Sequence, residues 1–258
     1  MSTVPTVVKP AVAATPTGAK RGVLASVKDI LGQKRKFRLA LIGEPGAGKT
    51  STSSTLTPGK GTCVICTLPD SQMITHHPDS RIYVPTNFDD AIAALKAPEA
   101  IFGNDIETLV LDDSTTLISR GLEEKGVTRA NDPRQTYKGV QFAVEPALLA
   151  AISKGFHFVL IAQARKMAND INGLQEITLD VPPSMENTAV AYVDYIFFVN
   201  KALELGKPPM LQLVRGTGTP VLTKVKFSRD QFGKIPVKDT EPADLAALWL
   251  KLRGEGAK

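Results

Sequence analysis

The octapeptide Gly43-Glu44-Pro45-Gly46-Ala47-Gly48-Lys49-Thr50 constrains this chain more than any other feature of it. It fills the pattern G-x-x-x-x-G-K-[ST] at every fixed position. The apolar run at residues 37–42 (Phe37-Arg38-Leu39-Ala40-Leu41-Ile42) stops at Gly43. A short apolar run closed by glycine reads as a buried strand. Residues 50–56 are short and polar and read as a helix. That order is what an anion cradle requires. The glycines let the backbone turn so that successive N–H groups point at one anion. A helix starting near Lys49 adds its positive end. Lys49 supplies a point charge for the β- and γ-phosphates. The Thr50 hydroxyl can take one position on Mg²⁺, which uses few protein ligands. Residues 43–50, with Ser51 beside them, form the candidate nucleotide site, and ATP with Mg²⁺ is the expected ligand.

The second half of such a site is Thr108-Leu109-Val110-Leu111-Asp112-Asp113. Apolar residues carry this strand into a sheet. Asp112 emerges at its carboxyl end, where it can hold Mg²⁺ opposite Thr50. The group that activates water has two candidates. Asp113 follows the metal carboxylate directly, where many NTPases carry Glu, but it can instead cap a helix starting at Ser114. Asp70 lies after the second strand and emerges on the same sheet edge. Gln163 ends the apolar strand at 156–162. Its amide reaches either the γ-phosphate and attacking water or a neighbouring loop.

Between these motifs strands and helices alternate. Residues 61–68, 81–85, 106–111 and 156–162 read as strands. Residues 87–96, 114–125 and 137–154 read as helices, with Pro146 predicting a kink or interruption in the last. Continuous apolar strands alternating with helices predict an α/β fold with a mainly parallel sheet flanked by helices. Residues 165–188 turn polar. Strand-like runs follow at 193–199, 210–214 and 221–227, with a turn signal at Gly216-Thr217-Gly218. These predict an antiparallel C-terminal extension, closed by a helix at 242–252 carrying Trp249.

Composition removes other classes. The chain has 258 residues, 43% hydrophobic and 22% charged, close to a globular average. The net charge of +5 permits an anionic partner without naming nucleic acid. No apolar run approaches the ~20 residues of a membrane span. Residues 1–33 are expected to be a flexible tail. Its first twenty are Pro, Thr, Ala and Val without an aromatic, offering little apolar area to offset ordering entropy. Pro5, Pro10 and Pro16 argue against a targeting helix. Residues 34–258 are expected to be one domain. Cys63 and Cys66 sit i, i+3 on a strand, hence on opposite faces, and read as core. His76 and His77 read as a surface loop. Arg165, Lys166, Lys201, Arg215, Lys224 and Lys226 are solvated edge charges, or contacts to DNA phosphates or a finger reaching a neighbouring subunit's γ-phosphate. Arg215, beside the glycine-rich turn, is the candidate finger.

Placed in this order, the pieces resemble the RecA-type P-loop ATPases. More closely, the chain resembles the phage-encoded AAA-type nucleotide-binding proteins that include RecA-like single-strand-annealing proteins. The resemblance rests on residues 43–50, Leu109-Val110-Leu111-Asp112-Asp113-Ser114, Tyr137-Lys138-Gly139-Val140-Gln141, Phe158-Val159-Leu160-Ile161-Ala162-Gln163-Ala164 and Val193-Asp194-Tyr195-Ile196. It covers residues 36–230. It implies a RecA-like core that binds and hydrolyses ATP with Mg²⁺, and that binds or anneals single-stranded DNA in phage recombination. It also implies a homo-oligomer in the host cytoplasm. In RecA relatives a mobile loop after the Gln-ending strand contacts DNA. Residues 165–188 would be that loop, and they hold Arg165 and Lys166 but no aromatic platform for bases. Asp70 stands where RecA-type enzymes often carry their catalytic Glu. The alternative is an ATPase whose nucleotide state switches protein assembly without DNA. A small-molecule kinase is disfavoured by the lack of a recognisable Arg-rich lid.

Overall fold

The structure is a computed structural model that describes residues 36–57, 59, 61–67, 79–126, 133–168, 175–181, 186, 191–202, 207–213, 223–225 and 238–253. Contacts divide the chain after Arg35, and all of these residues lie in the second unit, Lys36–Lys258. The strands are β1 (Arg38–Gly43), β2 (Thr62–Cys66), β3 (Arg81–Tyr83), β4 (Thr108–Asp112), β5 (His157–Ala168), β6 (Gln175–Leu179), β7 (Tyr195–Asn200), β8 (Met210–Gln212), β9 (Lys224–Val225) and β10 (Thr240–Pro242). The helices are α1 (Lys49–Ser53), α2 (Phe88–Lys96), α3 (Glu99–Phe102), α4 (Ser114–Glu124), α5 (Pro133–Ile152) and α6 (Leu245–Leu252).

The sheet runs β10-β8-β7-β1-β5-β4-β2-β3. Every pair from β7 to β3 is parallel. β8 and β10 continue it antiparallel on one side, and β6 and β9 add antiparallel to β5 and β7. The fold is α/β with a mainly parallel mixed sheet between helices, an arrangement compatible with Rossmann-like and P-loop proteins. The central strands are apolar throughout because both faces are covered. One face packs on α2, α4 and α5 through Phe88, Leu95, Leu117, Val144 and Leu148. The other packs on α6 and on Ala47 and Leu56 beside α1. Cys63 joins the first core and Cys66 the second, as their opposite parity on β2 requires.

Local signals explain several helix starts. Asn87 caps α2 by accepting from the Asp90 N–H, with Asp89 and Asp90 in the first turn and Lys96 in the last, a charge order the helix dipole favours. Asp244 caps α6 in the same way. At the amino edge of the sheet, the Phe37 and Trp249 rings stack at 4.6 Å. There the Phe37 N–H donates to His157 Nδ1 at 2.8 Å. Burial pushes the His157 imidazole down to about 4, helped by the positive Lys36 and Arg253.

Two expectations meet the structure as follows. Of the kink or interruption expected at Pro146, the interruption is absent, since α5 runs through it as one helix. Proline removes one N–H, and packing of Val144, Ala147, Leu148 and Ala151 into the core holds the helix across that gap. Second, the strand ending at Gln163 continues to Ala168 and pairs with β6, so the described part of the polar stretch 165–188 begins as a hairpin arm. The antiparallel extension expected after residue 193 is present, with β9 paired to β7. The short elements α3 and β10 gave no recognised sequence signal. The tail at 1–33, His76, His77 and Gly216-Thr217-Gly218 lie outside the described residues.

Candidate functional site

β1 delivers Gly43 to the carboxyl edge of the sheet, between β7 and β5. The loop then turns through Gly46 and Gly48, at φ 73° and 90°. This is the left-handed region where a side chain is strained. Gly43 is required for a different reason, because a Cβ there would meet the Val199 carbonyl oxygen at 2.8 Å. Gly48 also has Pro209 packed against it, 3.1 Å from where a Cβ would stand. The Ala47 N–H donates to the Glu44 carbonyl at 3.2 Å, closing the turn.

Lys49 opens α1 and turns its ammonium back into the loop. Its Nζ donates to the carbonyls of Gly43 and Glu44, both at 2.9 Å, and to Gln163 Oε1 at 3.1 Å. Lys49 is only 6% exposed. Burial lowers its pKa, against the pull of Asp113 and Asp112. A buried cation satisfied mainly by neutral dipoles is a site that gains from an incoming anion.

Beside it, the Thr50 hydroxyl donates to Asp112 Oδ2 at 2.5 Å. Burial pushes the Asp112 carboxyl up to about 6. The Thr50 hydrogen bond and Lys49 oppose that shift, and Asp113 adds to it. A hydroxyl and a desolvated carboxylate meeting on one edge fit Mg²⁺, which takes oxygen ligands and keeps several waters. Among the described residues no group of three or more His, Cys, Asp or Glu gathers to hold a metal.

Asp113 is the adjacent residue and has a separate set of partners. Its Oδ1 accepts from the Thr116 N–H at 2.6 Å, capping α4, and its Oδ2 accepts from Gln163 Nε2 at 2.9 Å. Gln163 thus spans Lys49 and Asp113 with its two amide ends. Its own backbone is fixed by Thr115 Oγ1, to which its N–H donates at 3.1 Å, and by the Asp180 N–H, which donates to its carbonyl at 2.8 Å. The peptide between Asp112 and Asp113 is cis. Thr67, just past β2, bonds to the backbone on both sides of it. Sequence reading missed Thr67, Thr115 and Ser114, whose Oγ donates to the Ile161 carbonyl at 3.0 Å. Short hydroxyl residues just past a strand or in the first turn of a helix carry no spacing signal, and only the register of β2, β4 and β5 brings these together.

A cleft of about 600 Å³ opens over the crest of the loop, lined by Glu44, Pro45, Lys166, Asn200, Lys201 and Met210 among others. Ser51 lies in α1. The structure therefore brings together Lys49, Thr50, Asp112, Asp113 and Gln163, with Lys166 and Lys201 at the neighbouring cleft. Arg165 instead reaches Glu186 at 3.7 Å. Asp70 and Arg215 lie outside the described residues. No helix among the described residues is long and apolar enough to cross a membrane. No protein-family model matches the chain, and no curated protein matches it.

Proposed function

We propose that the protein binds ATP with Mg²⁺ at this site and hydrolyses it slowly, as a RecA-like P-loop ATPase acting on single-stranded DNA. The observation that carries the reading is one network. Lys49, Gln163 and Asp113 are joined in line beside the Thr50–Asp112 pair. The strand order adds support, because the Gln163 strand β5 lies between the loop strand β1 and the carboxylate strand β4.

Phosphate oxygens would take the loop N–H groups and the Lys49 ammonium, which then exchanges its carbonyl partners for the ligand. Mg²⁺, held by Thr50 and Asp112, would neutralise charge on the phosphate oxygens. Preorganised donors of this kind stabilise the charge that develops on the γ-phosphate. Gln163, released from Lys49, is placed to orient the attacking water. Asp113 is a poor general base here, since both of its oxygens are engaged. Asp70 would then be the remaining candidate base, and turnover would be slow if neither carboxylate serves. Lys166 and Lys201 at the cleft would supply contacts to DNA phosphates.

The engagement of Asp113 also favours a second reading, a nucleotide-switched assembly protein that holds ATP for long periods. ATP hydrolysis by wild type and Lys49→Ala, each with and without single-stranded DNA, separates the two. Stimulation by DNA that vanishes in Lys49→Ala supports the DNA reading. Activity indifferent to DNA, with no DNA retained at low salt, overturns it in favour of the switch.

A further inference from the structure

We propose that Thr67 is the positioning residue of this site, and that its hydroxyl sets the site's demand for Mg²⁺ by fixing the peptide between Asp112 and Asp113. The proposal rests on the ATP and Mg²⁺ reading above.

Thr67 follows the last residue of β2, and Cys66 is in register with Asp112 on β4. The Thr67 N–H donates to the Asp112 carbonyl at 2.7 Å. Its Oγ1 accepts from the Asp113 N–H at 3.0 Å and donates to the Asp113 carbonyl at 2.9 Å, with the Asp112 carbonyl at 3.3 Å. One hydroxyl therefore acts as donor and acceptor on the same buried peptide segment. Thr67 is 4% exposed, Asp113 4% and Asp112 9%, so water has little access to replace it.

This matters because two consecutive carboxylates must serve different partners. Asp112 turns to Thr50, where Mg²⁺ would sit, and Asp113 turns to Gln163 and the start of α4. Each charge raises the cost of the other. The backbone between them decides how the carboxylates separate, and Thr67 holds that backbone without touching either one. Groups that orient a metal ligand from behind typically change metal affinity by roughly 10–100-fold when removed. Serine preserves the hydroxyl. Valine preserves the shape and loses both hydrogen bonds.

The test measures binding of a fluorescent, non-hydrolysable ATP analogue as Mg²⁺ is titrated, for wild type, Thr67→Ser and Thr67→Val, alongside thermal melts without ligand. For Thr67→Val the Mg²⁺ midpoint should rise roughly tenfold or more. Analogue affinity in EDTA should change by less than about twofold, and Thr67→Ser should track wild type. If Thr67 only seals the sheet edge, the melting temperature falls and the Mg²⁺ midpoint does not move, which overturns the proposal. Equal losses with and without Mg²⁺ overturn it as well. Should the valine variant not fold, Thr67→Cys replaces it. The thiol fits but is a weak donor, so its midpoint should still shift above that of Thr67→Ser, and equal midpoints overturn the proposal. A wild-type protein whose nucleotide binding ignores Mg²⁺ overturns the ATP and Mg²⁺ reading itself, an outcome distinct from an unshifted variant.

Discussion

The Lys49 ammonium and the Gln163 side-chain oxygen meet at 3.1 Å across 114 positions of sequence. The other end of the same amide donates to Asp113 at 2.9 Å. Gln163 therefore links Lys49 to Asp113 through the two ends of its amide. Gln163→Ala should lower single-turnover ATP hydrolysis by roughly 100-fold. Nucleotide affinity should stay within about threefold, since the loop amides and Lys49 remain in place. Parallel equilibrium binding and rapid-quench measurements check this, and an affinity loss as large as the rate loss would refute it.

Lys49→Ala removes the cation of the cradle. Wild type at a hundred times the dissociation constant of ATP should gain about 2.7 kcal/mol. For a chain of this size that is a rise of roughly 5–10 °C in melting temperature. Lys49→Ala should show almost none of it. Differential scanning fluorimetry with and without Mg²⁺ and ATP reads the difference directly.

Gly121 on α4 faces Phe88, and a Cβ there would stand 2.6 Å from the ring. Phe88 is fully buried, so the ring cannot move aside into solvent. Gly121→Ala should destabilise the protein by about 1–3 kcal/mol through overpacking. Adding Phe88→Leu should recover part of the loss, which a double-mutant cycle by urea denaturation measures.

His157 gives the fold an acid-sensitive point away from the site. Its ordinary value is 6.5, and in the folded protein it lies near 4. The unfolded chain therefore binds the extra proton first as pH falls. Stability from the neutral ring is complete above pH 6.5 and is lost as pH drops toward 4. Protonation would also abolish the hydrogen bond accepted from Phe37. After discounting for the ring's partial exposure, the loss at pH 5 should be about 1 kcal/mol. Melts of wild type and His157→Gln across pH 5 to 7.5 test this, and identical slopes would sink the idea.

Much of the parallel core was readable in advance because β1, β4 and the buried part of β5 are apolar runs ended by a glycine, an acid and an amide. Gly43, Asp112 and Gln163 are those endings, and they define the site. What escaped sequence reading depends on pairing between distant segments. Residues 175–179 form a strand only because β5 continues past Gln163 and offers them an edge. Pro146 reads as a breaker in isolation and is tolerated because α5 is held from both ends of its buried face. Asp113 could be read as base or cap, and the Thr116 N–H engages it as a cap. Thr67 was unreadable because its hydrogen bonds go to backbone atoms that lie 45 and 46 residues away.

The same strand carries His157 at its amino end and Gln163 further along, with residues 158–162 almost wholly buried between them. β5 is flanked by β1 and β4 in fixed register. A slip of one residue would turn every side chain to the opposite face. It would pull the imidazole from Phe37 and the amide from Lys49 in a single move. The strand is thus gauged at two points, about 20 Å apart. Mistakes in its alignment are rejected by a hydrophobic clasp that has no part in the chemistry. Packing at the amino end of β5 therefore also fixes where the Gln163 amide stands.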